Sequence, residues 1–338
     1  MGTESLSRSQ LELLVRLTRQ LVDSRMEELC APLVGPLESN ITRFIQDGLL
    51  EEASLAKKFA WKYGVTDLKR LSKQHGIKPK GNKPDLINAL LEVLPINEAT
   101  ELVADIKAYS LTPLGQRLAD AFLEEKQQGR IAMESGAFAC LLKGEIEKAG
   151  EIIAQYEAQQ LFPRGLGSDW SDGMPEAYLE QASYLAKYLY DDLPLNEQQR
   201  QEIGAQLALS LLLGEPFRDA TNRVLQVTGG KFACASLEEF LRTNSRCAYG
   251  VDLENPKDLA ALYIQTRVRE ASQRTRLKQL LRSRESSVIK GVEIRPMEDS
   301  CEICNRGKRQ YDWAEVEDIP KVPRHWGCGC YYAAWMQK

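Results

Sequence analysis

Apolar residues recur every three to four positions along most of this chain, which predicts a mainly helical protein. Leu11, Leu14, Leu17, Leu21 and Val22 form the first such stripe behind Ser9, a candidate N-cap, and Pro32, Gly35 and Pro36 punctuate the chain after it. A second helical stretch is expected over 37–63. Thr112-Pro113 reads as an N-cap followed by proline at the first helical position, opening a helix through Leu123. Further helical runs are expected over 133–160, 179–190, 196–213, 216–227, 237–241 and 256–284, with Asn196 and Asn255-Pro256 as starts. A strand pattern emerges only near the end. There Ser287, Val288, Ile289, Val292, Glu293 and Ile294 lead toward a cysteine pair, and Tyr331-Tyr332 supplies a candidate partner strand.

These patterns divide the chain into an N-terminal helical region (1–64), a basic module (65–94), a second helical region (95–160), a Gly/Pro-rich linker (161–175), a helical domain (176–286) and a small β-rich module (287–338). The expected fold is therefore multi-helical with a C-terminal β module. With 338 residues there is chain enough for several cores. No run approaches the roughly 20 apolar residues that span a bilayer. The segment MGTESLSRSQ lacks a signal peptide's apolar core, so a cytoplasmic location without membrane contact is expected.

Charge redirects attention to one segment. The chain carries a net charge of -4, which gives no global reason to expect nucleic-acid binding. Between residues 66 and 91, however, Lys69, Arg70, Lys73, Lys78, Lys80 and Lys83 face only Asp67 and Asp85. Leu68 and Leu71 give one apolar helical face, Gly76 suits a left-handed C-cap, and Leu86, Ile87, Leu90 and Leu91 give a second face. A helix start preceded by Gly81 and Asn82, with cations around it, suits contacts to phosphates. The candidate DNA-contacting set is Lys69, Arg70, Lys73, Lys78, Lys80, Gly81, Asn82 and Lys83, and the alternative is a solvated helical hairpin. A second basic stretch, Arg267, Arg269, Arg274, Arg276, Lys278, Arg282 and Arg284 with Glu270 as the one acid, could likewise lie along phosphates or form a solvated face.

Of eight cysteines, four fall between 301 and 330; Cys30, Cys140, Cys234 and Cys247 sit singly in apolar helical patterns and read as small core residues. Cys301-Glu-Ile-Cys304, then His325-Trp-Gly-Cys328-Gly-Cys330, offers five soft ligands for a tetrahedral ion. Cys301 and Cys304 form one pair and His325 with Cys328 the other, while Cys330 either replaces one of these or stays free. Structural Zn2+ is expected, with iron as the alternative.

Catalytic material is scarce. The chain has two histidines, His75 and His325, no P-loop, and a tail, YYAAWMQK, without a base. A role without catalysis is expected. The rival reading is a metal-dependent nuclease, for which Asp312, Glu315, Glu317 and Asp318 are the available acids.

Two stretches resemble known families. Leu68, Leu71, Gly76-Ile77, Gly81 with Lys83, and Asp85-Leu86 with Leu90 resemble the SAP motif, a helix, extended loop and helix that in its family binds duplex DNA. From about 193 onward the chain resembles the C-terminal domain of phage Mu F-like head morphogenesis proteins. The matching residues are Leu213-Gly214-Glu215-Pro216-Phe217, Gln265-Thr266-Arg267, Val292-Glu293-Ile294, Asp299-Ser300-Cys301-Glu-Ile-Cys304 and Pro323-Arg324-His325-Trp326-Gly327-Cys328-Gly329-Cys330. Gln265-Thr266-Arg267 departs from the family's Arg-Thr-Glu, and Gly329 stands where Arg is usual. Together the resemblances imply a zinc-stabilised accessory protein of phage or prophage origin, cytoplasmic or virion-associated. Its implied partners are duplex DNA, through phosphates, and phage structural proteins, in DNA packaging or head morphogenesis. The alternative is an assembly protein that binds protein partners without DNA.

Overall fold

In a computed structural model the chain is mainly helical, with a small C-terminal antiparallel sheet, as the periodicity predicts. The structure describes residues 6–160, 173–244, 250–286, 288–297, 302–306 and 309–336. The chain forms two compact units, Met1–Gly129 and Arg130–Lys338. No described helix is long and apolar enough to cross a membrane.

The first unit holds α1 (Arg8–Leu17), α2 (Ser24–Val34), α3 (Leu37–Gln46), β1 (Leu50–Glu52), α4 (Leu55–Lys62), α5 (Val65–Gln74), α6 (Lys83–Val93), α7 (Ile96–Glu101), β2 (Tyr109–Leu111) and the start of α8 (Pro113–Leu142). α1 is capped by Ser7 rather than Ser9: the Ser7 hydroxyl accepts from the Gln10 N–H while the Gln10 side chain accepts from the Ser7 N–H, a capping box that starts the helix at Arg8 and leaves Ser9 inside its first turn. The helix also ends sooner than the apolar stripe, at Leu17, with Leu21 and Val22 beyond it.

The 37–63 stretch is not one helix. It is split by β1, which pairs antiparallel with β2 in the register Leu50↔Leu111 and Glu52↔Tyr109. α8 does start at the Thr112-Pro113 signal, with Thr112 Oγ1 accepting from the Gly115 N–H, but it continues to Leu142 instead of stopping at Leu123.

In the second unit, α9 (Ile146–Glu157), α10 (Glu176–Lys187), α11 (Glu197–Leu212), α12 (Phe217–Val227), α13 (Ala235–Thr243) and α14 (Pro256–Arg282) share one hydrophobic core with the end of α8. Met133, Ile153, Leu185, Leu209, Leu237 and Tyr263 all belong to it, so residues on both sides of the expected linker at 161–175 bury into a single core. Residues 161–172 themselves lie outside the described set.

α14 is followed by β3 (Ile289–Arg295), α15 (Glu302–Asn305), β4 (Gln310–Asp312) and β5 (Tyr331–Met336), with sheet order β4-β3-β5. The tyrosine pair is the partner strand, in register Ile294↔Tyr332 and Arg295↔Tyr331. Under the sheet, Val292, Ile294, Tyr311, Val322 and Tyr332 bury together with Cys304, Cys328 and Cys330, against Leu277 and Leu280 of α14.

Gly291 makes the close β3–β4 approach possible, since a Cβ there would sit 2.1 Å from the Tyr311 carbonyl oxygen. Gly291→Ala should force those strands apart, at a cost of about 1–3 kcal/mol for overpacking against backbone. Thermal unfolding of the variant followed by circular dichroism measures this; a melting temperature equal to the parent's would count against the register.

Candidate functional site

The C-terminal clasp is built by two loops that the sheet brings together. α15 delivers Cys304 to the small core, and the turn between Pro323 and β5 delivers His325, Cys328 and Cys330. The approach is held by Tyr332, whose hydroxyl donates to the Pro320 carbonyl at 2.8 Å and accepts from the Val322 N–H at 3.1 Å. Val322-Pro323 is a cis peptide bond. The turn itself closes through Cys328 N–H to the His325 carbonyl at 3.1 Å and needs the positive φ of Gly327, 71°, which glycine adopts without strain. Gly329 serves space rather than dihedral freedom: a Cβ there would lie 2.6 Å from the Met297 sulfur.

Cys304, His325 and Cys328 present their ligand atoms within 4.8 Å of one another. Cys304 Sγ lies 3.6 Å from Cys328 Sγ and 3.0 Å from His325 Nε2. A tetrahedral ion with bonds of about 2.3 Å to sulfur and about 2.0 Å to nitrogen sets edges of roughly 3.8 and 3.5 Å, so the sulfurs already stand near ligand spacing and the imidazole about half an ångström inside it. The histidine tautomer also fits. His325 Nδ1 is 2.6 Å from the Trp326 carbonyl, which can only accept; the proton is therefore on Nδ1, and Nε2 turns its lone pair toward the sulfurs.

The buried Cys330 thiol adjoins both Cys328 and Cys304, within hydrogen-bonding reach of each. The Cys330 thiol, donating to Cys328, holds the Cys328 thiol below the ordinary cysteine range, helped against burial by the backbone N–H groups of Arg324 and Cys330; Cys330 is pushed up in return. This cluster could bind a metal ion. Of the five expected ligands it unites Cys304, His325 and Cys328, with Cys330 adjoining; Cys301 lies outside the described residues.

Compared with protein-family models, curated proteins and solved structures, the chain matches none. Function is therefore read from the geometry.

Sequence reasoning missed how the clasp is seated. The His325 ring stacks on Phe240 of α13, with centroids 5.4 Å apart and planes 18° apart, and Trp326 stacks on Tyr263 of α14 at 5.3 Å. Arg267 lies among Tyr188, Tyr263 and Trp326, 4.5–4.9 Å from each ring, and its guanidinium pairs with Asp192 at 2.5 Å and Glu270 at 3.0 Å. The clustered Tyr184, Tyr188 and Tyr190 were the available signal.

The expected phosphate-facing stripe on α14 has other partners. Arg269 donates to the Cys328 carbonyl, Arg274 covers Tyr184, Arg276 covers Tyr331, Lys278 meets Glu180, and Arg282 meets Glu176. Net charge along a helix does not say which face is already matched by neighbouring acids and rings, and here most of it is.

Burial pushes the Tyr190 and Tyr263 hydroxyls well above the ordinary phenol range. Below pH 10 both folded and unfolded chains hold these protons, so the full stability is present. Above pH 10 the unfolded chain ionises first, and stability falls. A spectrophotometric tyrosinate titration should therefore show a buried class that ionises only with loss of near-ultraviolet dichroism. Smooth ionisation of every tyrosine without unfolding would contradict this.

The basic hairpin folds as the punctuation predicts. α5 closes in a Schellman motif, with Gly76 at φ 73°, Ile77 N–H to the Ser72 carbonyl, Gly76 N–H to the Lys73 carbonyl, and His75 as the C-cap. α6 opens on a capping box between Asn82 and Asp85. Gly81, at φ 92°, leaves the space that the Asp85 carboxyl occupies. Leu68, Leu86, Ile87 and Leu90 bury together with Phe59 of α4 and Val103, so the hairpin's core extends beyond 65–94. Lys69, Arg70, Lys73, Lys78 and Lys80 are exposed. Lys83 is not a free phosphate contact, because its ammonium donates to the Ala60 carbonyl at 2.7 Å and ties α6 to α4.

Proposed function

We propose that this chain is a zinc-stabilised DNA-binding accessory protein of phage or prophage ancestry, cytoplasmic or virion-associated, acting in DNA packaging or head morphogenesis. The observation that carries the DNA reading is the exposure of Lys69, Arg70, Lys73, Lys78 and Lys80 around one capped helix pair whose Leu68, Leu86, Ile87 and Leu90 are buried in a shared core. Cations fixed on a rigid scaffold neutralise phosphates at a low ordering cost and position a protein on a duplex without reading its sequence. The SAP resemblance points the same way.

For the clasp, thiolate and imidazole donors in tetrahedral spacing favour zinc, in a closed structural site completed by Cys330 or Cys301. In that site the ion orders two loops, and four protein ligands leave it no open position for a substrate. Phage structural proteins are the protein partners this reading expects.

A second reading, an assembly protein that binds protein without DNA, is favoured by Leu29 and Leu33, exposed one turn apart on α2. Fluorescence anisotropy with labelled duplex DNA separates the two. The triple variant Lys69→Ala, Lys78→Ala, Lys80→Ala should bind at least tenfold more weakly, with a salt slope reduced by about 3. Lys83→Ala should instead lower the melting temperature and leave the slope nearly unchanged. Equal binding by the triple variant and the parent would remove the hairpin from the interface. Cleavage of plasmid in Mg2+ or Mn2+, abolished by Cys304→Ser, would favour the nuclease reading instead.

A further inference from the structure

A metal site on a small sheet can be an independent bead or part of the body beneath it. Here the segment that carries the ligands is gripped from below at almost every residue. Trp326, between the ligands His325 and Cys328, fixes the imidazole through its carbonyl and lays its ring on Tyr263 and on the Arg267 guanidinium, 4.7 Å away. The Gly327 N–H donates to Thr266 Oγ1 at 3.2 Å, and Arg269 donates to the Cys328 carbonyl at 3.3 Å. The Tyr332 N–H donates to Gln273 Oε1 at 2.8 Å. Each acceptor or donor below lies on α14, at spacings of three to four residues that share one helix face.

That face is set by a buried charge. The Arg267 side chain is 12% exposed and Asp192 19%. Asp192 takes two bonds, one from Arg267 and one from the Tyr263 hydroxyl at 2.6 Å, so it orients both groups on which Trp326 rests. A pair this buried gives little net stability over an apolar replacement, whereas it does impose one arrangement on its neighbours.

Resting on the metal reading above, we propose that Asp192, Arg267 and Trp326 are positioning residues of the metal centre: they hold His325 and Cys328 in ligand geometry, and the bound ion in turn holds α14 in its present packing. Linkage requires the coupling to act equally in both directions. Residues that touch no ligand sulfur therefore set metal affinity, and the metal sets the order of a helix that contributes no ligand.

The test is a competition titration of the full chain with zinc against a chromophoric chelator. Asp192→Asn keeps the shape and removes the charge; Arg267→Lys keeps the charge and removes the flat guanidinium that stacks. Each should weaken zinc binding about 10–100-fold, the range found when outer partners of metal ligands are removed. Arg282→Ala, which breaks the exposed pair with Glu176 farther along the same helix, should leave it unchanged. Melting of the zinc-saturated variants checks that they fold.

Should they fail to fold, amide exchange of the parent chain decides. Exchange over 259–271 should slow at least tenfold on adding zinc to the stripped protein. Folded variants with parental zinc affinity, or exchange in α14 indifferent to zinc, would overturn the coupling while leaving the metal site standing. A parent chain that binds no zinc would overturn the metal reading, and the coupling with it.

Discussion

Chelating the metal, or replacing Cys304 by serine, is expected to unfold the C-terminal module. The hydrophobic core beneath its sheet is small: Val292, Ile294, Tyr311, Val316, Val322 and Tyr332 are its large members, and the remaining buried side chains are the thiols Cys304, Cys328 and Cys330. A module of this size ordinarily needs a staple. Without an ion, three thiols stand where larger apolar side chains would otherwise fill the core, and only this small core and a few hydrogen bonds join the loops carrying Cys304 and His325.

Structural zinc contributes an apparent 10–16 kcal/mol in small zinc modules at about neutral pH, more than one such core supplies. Cys304→Ser should accordingly lose stoichiometric zinc and lose exchange protection across β3, β4 and β5. Metal analysis together with amide exchange reads both. Full protection in a zinc-free protein would refute the structural role.

The second large effect is expected at Arg223. Its guanidinium makes a two-pronged contact with Glu215, at 2.7 and 2.8 Å, and a third bond to Glu134 at 3.0 Å; Glu215 also accepts from the Ser210 hydroxyl, and Arg130 reaches Glu134 at 2.5 Å. The Glu215 side chain is only 11% exposed. These bonds join the end of α8, the turn after α11 and the middle of α12.

Arg223→Ala leaves two carboxylates facing each other with Arg130 as the remaining cation. Removing one partner from such a buried network costs about 3–5 kcal/mol, or roughly 6–20 °C in melting temperature for a unit of this size. A further check is chemical. Burial alone would raise the Glu134 carboxyl, but the bonds from Arg130 and Arg223 together hold it below the ordinary range, so the variant should also become less sensitive to acid. A change in melting temperature of less than about 2 °C would mean that the network is decorative.

What the chain disclosed in advance was mostly local. Thr112-Pro113, Asn196, Asn255-Pro256 and Gly76 each carry their own physical reason, a side-chain cap, a preset φ or a tolerated positive φ, and each sits where it was expected. β1 and β2 were hidden because each has only three residues and its partner lies some sixty positions away. Arg267 misled because a charge pattern records residue type and not surroundings: the same arginine that reads as part of a phosphate-facing stripe has its field matched by Asp192 and three aromatic faces.

Lys83 misled for the same reason, since the Ala60 carbonyl that takes its ammonium is exposed by a helix end far back in the sequence. The cysteine spacing named the clasp, but nothing in the spacing revealed Phe240 beneath His325 or α14 beneath the turn.

The most direct test of the DNA-binding account is the salt dependence of duplex affinity for the intact chain. Five exposed cations on the hairpin, each neutralising one phosphate, give a slope of log affinity against log salt of about -4 to -5. That slope should fall by about 3 when Lys69, Lys78 and Lys80 become alanine. No measurable binding at low salt, or an affinity that does not change with salt, would contradict the account.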